Sequence, residues 1–218
     1  MEVCRPSIHE YELQAAVEYE MIRQGASYTA FPSIIGSGEN NLIYHYDKNR
    51  RKAEPGDLVV MDVGAEYNGY AADITRTIPV TGKFTKAQAE VYRVVLEAQN
   101  EGIKMIKPGI KLRDLDKKAK EVISKAGYGK YFKHSVSHQL GVDVHDIWSS
   151  DTLKAGMVIT VEPGIYIPAD DDSISVEYRG WGIRIEDDVL VTENGYEVLS
   201  KGIPKEIGEI EKIMKRSE

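Results

Sequence analysis

Three of the five histidines in this sequence fall within twelve residues, in the stretch HSVSHQLGVDVHD at 134–146 (His134, His138 and His145). Histidine titrates near neutrality and is the commonest metal ligand, so the cluster points to proton transfer or metal binding if acids join it. Four acids interrupt apolar, strand-like runs: Asp62 in LVVMDVG, Asp73 in AADITRT, Glu162 at the end of MVITVE and Glu186 in WGIRIEDDVLV. An isolated buried charge is very costly, and two carboxylates on one face repel unless a proton or a cation lies between them. Four carboxylates and one imidazole, His138, form an oxygen-rich donor set. It suits two divalent ions such as manganese, cobalt, iron or zinc better than a structural zinc. Two such ions roughly 3.5–4 Å apart need bridging carboxylates and turn a bound water into a nucleophile.

The bulk composition removes several alternatives. One cysteine, Cys4, excludes an internal disulfide and any cysteine-based zinc site, and fits a reducing cytoplasm. The net charge is −7 with Lys and Arg interspersed among acids, which argues against nucleic acid or an anionic membrane as partner. No apolar run approaches the ~18 residues of a membrane span. The opening MEVCRPSIHEYE is too polar for a signal peptide. With 218 residues the chain can bury a substantial core, and no linker or low-complexity segment divides it, so a single domain over 1–218 is expected.

The elements that must hold these side chains are legible as helices alternating with strand pairs. SIHEYELQAAVEYEMIRQG (7–25) reads as a helix with Ser7 and Glu10 as a capping pair and Gly25 as its stop. Residues 57–67 and 69–80 read as two strands turning at Asn68-Gly69, a strong hairpin dipeptide. That turn sets residue 66 opposite 71 and 62 opposite 75, which makes Asp62 and Asp73 diagonal neighbours on one face, roughly 7–8 Å apart by backbone. Helices are expected over 85–106, with Thr85 and Gln88 as its capping pair, and over 112–127. Strands are expected over 156–167 and 181–192, the latter with Arg184 and Glu186 on one face, and a short amphipathic helix over EIGEIEKIMKR.

A weak internal repeat underlies this order. RPSIHEYELQAAVEYEMIRQG (5–25) and KPGIKLRDLDKKAKEVISKAG (107–127) share a basic residue, Pro, an Ile two further on, an acid-Leu pair and a closing Gly, at an offset of 102. PGDLVVMD and AGMVITVE match at an offset of 100, ending in Asp62 and Glu162. Two halves that each end a strand in a carboxylate suggest one pseudo-symmetric domain with a site between them.

Taken together and in order, MDVGAEYNGYAADITRT, HSVSHQLGVDVHD, TVEPGIYI and GIRIEDDVLVT resemble the catalytic domain of Xaa-Pro aminopeptidases (aminopeptidase P) over nearly the whole chain. The resemblance implies an α+β pita-bread fold, a pseudo-twofold curved antiparallel sheet with helices on its outer face. It also implies a metalloaminopeptidase in which a hydroxide bridging two divalent ions attacks the bond before proline. By that resemblance Asp62 chelates one ion, Asp73 and Glu186 bridge both, and His138 and Glu162 complete the other shell, Glu162 also handling the proton. His134 and His145 would contact substrate and shuttle protons, His45 in NNLIYHY would line the substrate pocket, and Arg184 would orient a ligand carboxylate. Manganese is the first metal expected, with cobalt, zinc or iron as alternatives. The substrate expected is a peptide with proline second. Prolidase, methionine aminopeptidase and a catalytically inactive pita-bread binding module are the competing readings. His9, on the first helix, is expected to be a surface histidine.

The repeat and the resemblance agree on one further expectation. A long helix precedes KPGIKLRDL, but only four residues precede RPSIHEYEL. The family's first helix and N-terminal domain are therefore expected to be missing, leaving an apolar groove beside 85–106 that invites a second copy or a complementing N-terminal segment.

Overall fold

The computed structural model describes residues 1–147 and 150–215. The helices are α1 (Glu10–Arg23), α2 (Lys86–Lys104), α3 (Leu112–Lys125) and α4 (Ile207–Met214). The strands begin with β1 (Tyr28–Thr29), β2 (Ile34–Ser37), β3 (Leu58–Val63), β4 (Ala65–Tyr67), β5 (Tyr70–Ala71) and β6 (Ile74–Pro79). They continue with β7 (Gln139–Leu140), β8 (Val158–Val161), β9 (Gly164–Ile167), β10 (Trp181–Arg184), β11 (Asp187–Thr192) and β12 (Gly195–Val198). Every pairing is antiparallel, in the orders β2-β3-β6, β12-β11-β8-β7, β1-β4-β5 and β9-β10. Helix α2 lies against β8, β9 and β10, and α3 packs on α2, giving the α+β layering expected.

The hairpin forms in the expected register, with Glu66 opposite Ala71 and Asp62 opposite Thr75. Asn68 and Gly69 both take positive φ (52° and 82°), the turn whose twist matches the flanking strands. Gly64 is obligatory inside this ribbon, because a Cβ there would lie 1.9 Å from the Ala72 carbonyl oxygen.

The repeat proves to be structural. Helices α1 and α3 start and stop at the same offset, and matching bridges, His9 to Lys52 and Lys111 to Thr152, tie the entry of each helix to the strand that follows. The same backbone bonds recur: Ala53 N–H donates to Ile8 O and Leu153 N–H to Ile110 O, both at 2.8 Å. The halves join where Glu186 N–H donates to Thr75 O (3.0 Å) and Thr77 Oγ1 donates to Arg184 O (2.8 Å).

Three expectations need correction. Ser7 does not cap α1: it has φ 71°, at the place Gly109 takes with φ 92° in the second half, and residues 7–10 are tied to 51–53 before the helix begins. The cap is His9, whose backbone N–H donates to Glu12 (2.8 Å) while its ring, half-exposed, stacks on Tyr11. The strands read over 69–80, 156–167 and 181–192 are each broken. The breaks fall at Asp73, one residue before β6, at Glu162, one residue after β8, and at Glu186, one residue before β11. Leaving the ladder there frees the backbone to aim each carboxylate inward. Finally, α2 is buried along most of its length, and of these two helices it is α1 that carries open apolar side chains, with Val17 and Met21 half-buried and Ile22 exposed. Helix α4 forms with Ile210 and Met214 buried; Arg216, at the end of the expected tail helix, lies outside the described residues.

Candidate metal centre

Strand β3 carries Asp62, the entries of β6 and β11 carry Asp73 and Glu186, the exit of β8 carries Glu162, and His138 precedes β7. The pairing of β7, β8 and β11 brings the last three together: His138 N–H approaches Thr160 Oγ1 (3.2 Å), and Glu162 N–H donates to Val136 O (2.8 Å). Asp73, His138 and Glu186 present ligand atoms within 4.8 Å of one another. His138 Nε2 lies 3.4 Å from Asp73 Oδ2 and 3.7 Å from Glu162 Oε1. His138 Nδ1 faces the Gln139 carbonyl at 3.1 Å. A carbonyl only accepts, so Nδ1 donates there and Nε2 is the ring nitrogen turned to the carboxylates.

The carboxylates are buried beyond what their protein partners compensate. Burial first, then the neighbouring Asp62, pushes the Asp73 carboxyl up to about 9. Burial first, with Asp62 and Asp73 adding to it against Arg184 and His138, pushes Glu162 up to about 8. Glu186 is raised for the same reasons, burial and then Asp73. Asp62 Oδ1 and Asp73 Oδ1 are buried without a hydrogen-bond partner. Buried polar atoms almost always have partners. Two orphaned carboxylate oxygens beside an imidazole nitrogen are what a cation would satisfy, so the donor set fits divalent metal.

Around this cluster the remaining residues are held in set roles. Arg184, buried, donates from Nη2 to Asp62 Oδ2 (2.6 Å) and from Nη1 to Tyr166 OH (2.8 Å). Tyr166 OH in turn lies 2.9 Å from His134 Nε2, while His134 Nδ1 faces Ser135 O at 2.8 Å. Burial lowers His134 to about 4, so its ring is neutral. Thr75 Oγ1 donates to Glu186 Oε2 (2.6 Å) and accepts from Arg184 Nε (3.2 Å). The His145 ring stands edge-on to His138, centroids 4.2 Å apart, and its pKa is lowered by burial and then by His138 and His45. A cavity of about 330 Å³ is lined by Tyr44, His45, Asp62, His134, His138, His145, Glu162 and Arg184 among others. All nine residues singled out in the sequence therefore meet at one centre.

Tyr166 and Thr75 were not singled out. Tyr166 lies in a strand of isoleucines, four residues beyond Glu162, and its ring fits only because Gly182 faces it: a Cβ on Gly182 would come 2.5 Å from the ring. A glycine paired with an aromatic across two apolar strands was the available signal. Thr75 offered none beyond its even spacing from Asp73.

The sequence profile of metallopeptidase family M24 matches residues 1–193. The chain belongs to this family. Within it, the chain is 44% identical over 237 aligned positions to the Xaa-Pro aminopeptidase of Escherichia coli strain K12, covering 98% of this chain and 54% of that protein. It is 45% identical over 197 positions to the Xaa-Pro dipeptidase of Pyrococcus furiosus, covering 88% of this chain and 53% of that one. The structure of aminopeptidase PepP from Pseudomonas aeruginosa superposes with a TM-score of 0.95 at 40% identity, over 98% of this chain and 54% of that chain. The pita-bread fold expected of an M24 member is thereby borne out, as is the membership itself. This M24 chain spans about half the length of these relatives. Among its described residues no helix is long and apolar enough to cross a membrane.

Proposed function

We propose that the chain is the catalytic domain of a metal-dependent aminopeptidase that hydrolyses the bond between a free N-terminal residue and a following proline. The observation that carries this reading is the convergence of two unpartnered carboxylate oxygens, the Nε2 nitrogen of His138 and further histidines at one centre. The names of the relatives reported above support the choice of substrate. Asp62, Asp73, His138, Glu162 and Glu186 would hold two divalent ions, Asp73 and Glu186 shared between them, with manganese the first to test. Bound ions of this kind activate water and polarise a carbonyl.

The chain's own residues do the rest. Arg184 and Thr75 fix the orientation of Asp62 and Glu186, so the donors are held before metal arrives. Glu162, beside both His134 and His138, is placed to take up a proton. His145 can donate to developing charge on the carbonyl oxygen or protonate the leaving proline nitrogen, while neutral His134, whose ring nitrogens face Ser135 O and Tyr166 OH, would relay a proton along that chain. His45 closes the pocket from the opposite loop. A cytoplasmic setting is in keeping with the single cysteine. The half-open apolar side chains of α1 support association with a complementing segment or a second copy.

The test is a panel of X-Pro peptides, X-Pro dipeptides and Met-Ala peptides assayed with added manganese. Cleavage of X-Pro peptides longer than two residues is expected. Cleavage of X-Pro dipeptides alone would move the chain to prolidase, and cleavage of Met-Ala alone to methionine aminopeptidase.

A further inference from the structure

Two cavities open onto the carboxylate–histidine cluster, sharing His45, Asp62 and His145, and they differ in chemistry. The first, described above, is walled by His134, Glu162 and Arg184. The second, about 320 Å³, is floored by Phe31, Pro32, Ile34 and Val144, with Asp73 at its inner end and Asp47 in its wall. If the X-Pro reading holds, on which this inference rests, the two ends of the substrate are distinguishable. The leaving proline nitrogen needs a proton, and so belongs on the side of Glu162, the proposed proton carrier, and of the His134–Tyr166 hydrogen bond. The first residue carries a cationic amino group and belongs on the side of Asp62 and Asp73. Its side chain then enters the second cavity.

Asp47 is what sets this cavity apart. Its side chain is exposed and has no hydrogen-bond or ion-pair partner among the described residues. The nearby cations do not compensate it: Lys48 is exposed, and the Arg50 guanidinium lies over the Tyr11 ring at 5.5 Å. Asp62 is held by Arg184, and Asp62 and Asp73 are committed to metal, so Asp47 is the uncompensated negative charge of the cavity. A lysine or arginine lays its methylene stem along apolar surface and keeps its charged head at the wet rim. We infer that this cavity takes the side chain of the first residue and that Asp47 selects a basic one.

The test compares Lys-Pro-Ala, norleucine-Pro-Ala and Glu-Pro-Ala, since norleucine has lysine's stem without the ammonium. The readout is the ratio of kcat/KM between peptides, which is independent of the fraction of folded, metal-loaded enzyme in each preparation. The lysine-to-norleucine ratio is expected to fall about 3- to 5-fold in Asp47→Asn, the range of an exposed ion pair. In Asp47→Lys, the glutamate peptide is expected to gain on the lysine peptide. Ratios that do not move in either variant, with all three peptides cleaved, would overturn this inference and leave the X-Pro reading standing. No cleavage of any of the three by the metal-loaded wild type would overturn both.

Discussion

Glu10 and Leu112 occupy the same place in the two halves, the first turn of α1 and of α3, and they do opposite things. Leu112 is an apolar core residue, and with Leu115, Ala119 and Ile123 it forms a stripe sealed in the core where α3 packs on α2. Glu10, fully buried, is a hydrogen-bond hub. It accepts from the backbone N–H and hydroxyl of Ser37 (both 2.7 Å), from Asn40, from Tyr46 OH (2.8 Å) and from Arg51 N–H (2.8 Å). Residues 37–51 include Tyr44 and His45, which line the candidate pocket. One half is thus held by apolar packing, and the other by a charge that braces the loop facing the site. The halves share a backbone plan and a pair of carboxylates each, Asp62 with Asp73 and Glu162 with Glu186. The three clustered histidines belong to the second half alone. The matching backbone plan places two of the candidate ligand acids in each half, while the clustered histidines are asymmetric.

The sharpest way to break this comparison is to make the halves alike. Glu10→Leu should destabilise the protein by about 3–5 kcal/mol in urea unfolding, because it strands several buried donors at once. It should also raise KM by loosening the loop of His45. Removing the asymmetric chemistry comes next. His145→Ala should lower kcat roughly 10²-fold, at the low end of general acid–base contributions, while metal content stays at the wild-type level. Equal loss of metal and kcat would make His145 a ligand or a structural residue. The two helices provide the third contrast. Ile123→Ala in α3 should cost about 2–4 kcal/mol, whereas Met21→Ala, at the equivalent place on α1, should cost less than about 1 kcal/mol. Equal costs would mean that α1 is as firmly seated as α3.

A further contrast is one of pH, and both halves contribute to it. In the metal-free protein Asp73 (about 9) and Glu162 (about 8) bind protons more tightly folded than unfolded, because of burial. Their contribution to stability is therefore complete below the ordinary carboxylate range and is lost as pH rises towards 8–9. The Tm of metal-stripped protein should fall from pH 5 to pH 9, and added manganese should raise Tm more at the alkaline end. A stabilisation by manganese that is the same at both ends would separate metal binding from these two carboxylates.

How much of this was legible in the sequence depends on the range of the interactions. The hairpin register followed from a dipeptide and a period of two, and α2 and α3 from local periodicity and caps. The repeat survived in a Pro and a few apolar positions around the bridge that starts each helix, and in a closing Gly whose positive φ ends it. The four acids were legible because acids are rare in buried strands, whereas the roles of His45, His134, His145 and Arg184 came from the resemblance. What was not legible depends on distant partners. Glu10 read as a capping residue because its real partners lie 27 to 41 residues away. Strand β2, a short apolar run without alternation, is specified by pairing with β3. The strand breaks at Asp73, Glu162 and Glu186 carry no local signal except Pro163, since the reason for them is the site itself.

The central claim is that five side chains from both halves hold two ions, and a manganese titration of the metal-stripped protein tests it most directly. Calorimetry backed by elemental analysis should give two manganese ions per chain in the wild type, and marked loss of both in Asp73→Ala and in Glu186→Ala, each of which removes a donor proposed to be shared between them. No bound metal in folded wild-type protein after reconstitution with manganese, cobalt or zinc, or binding that survives both substitutions intact, would contradict it.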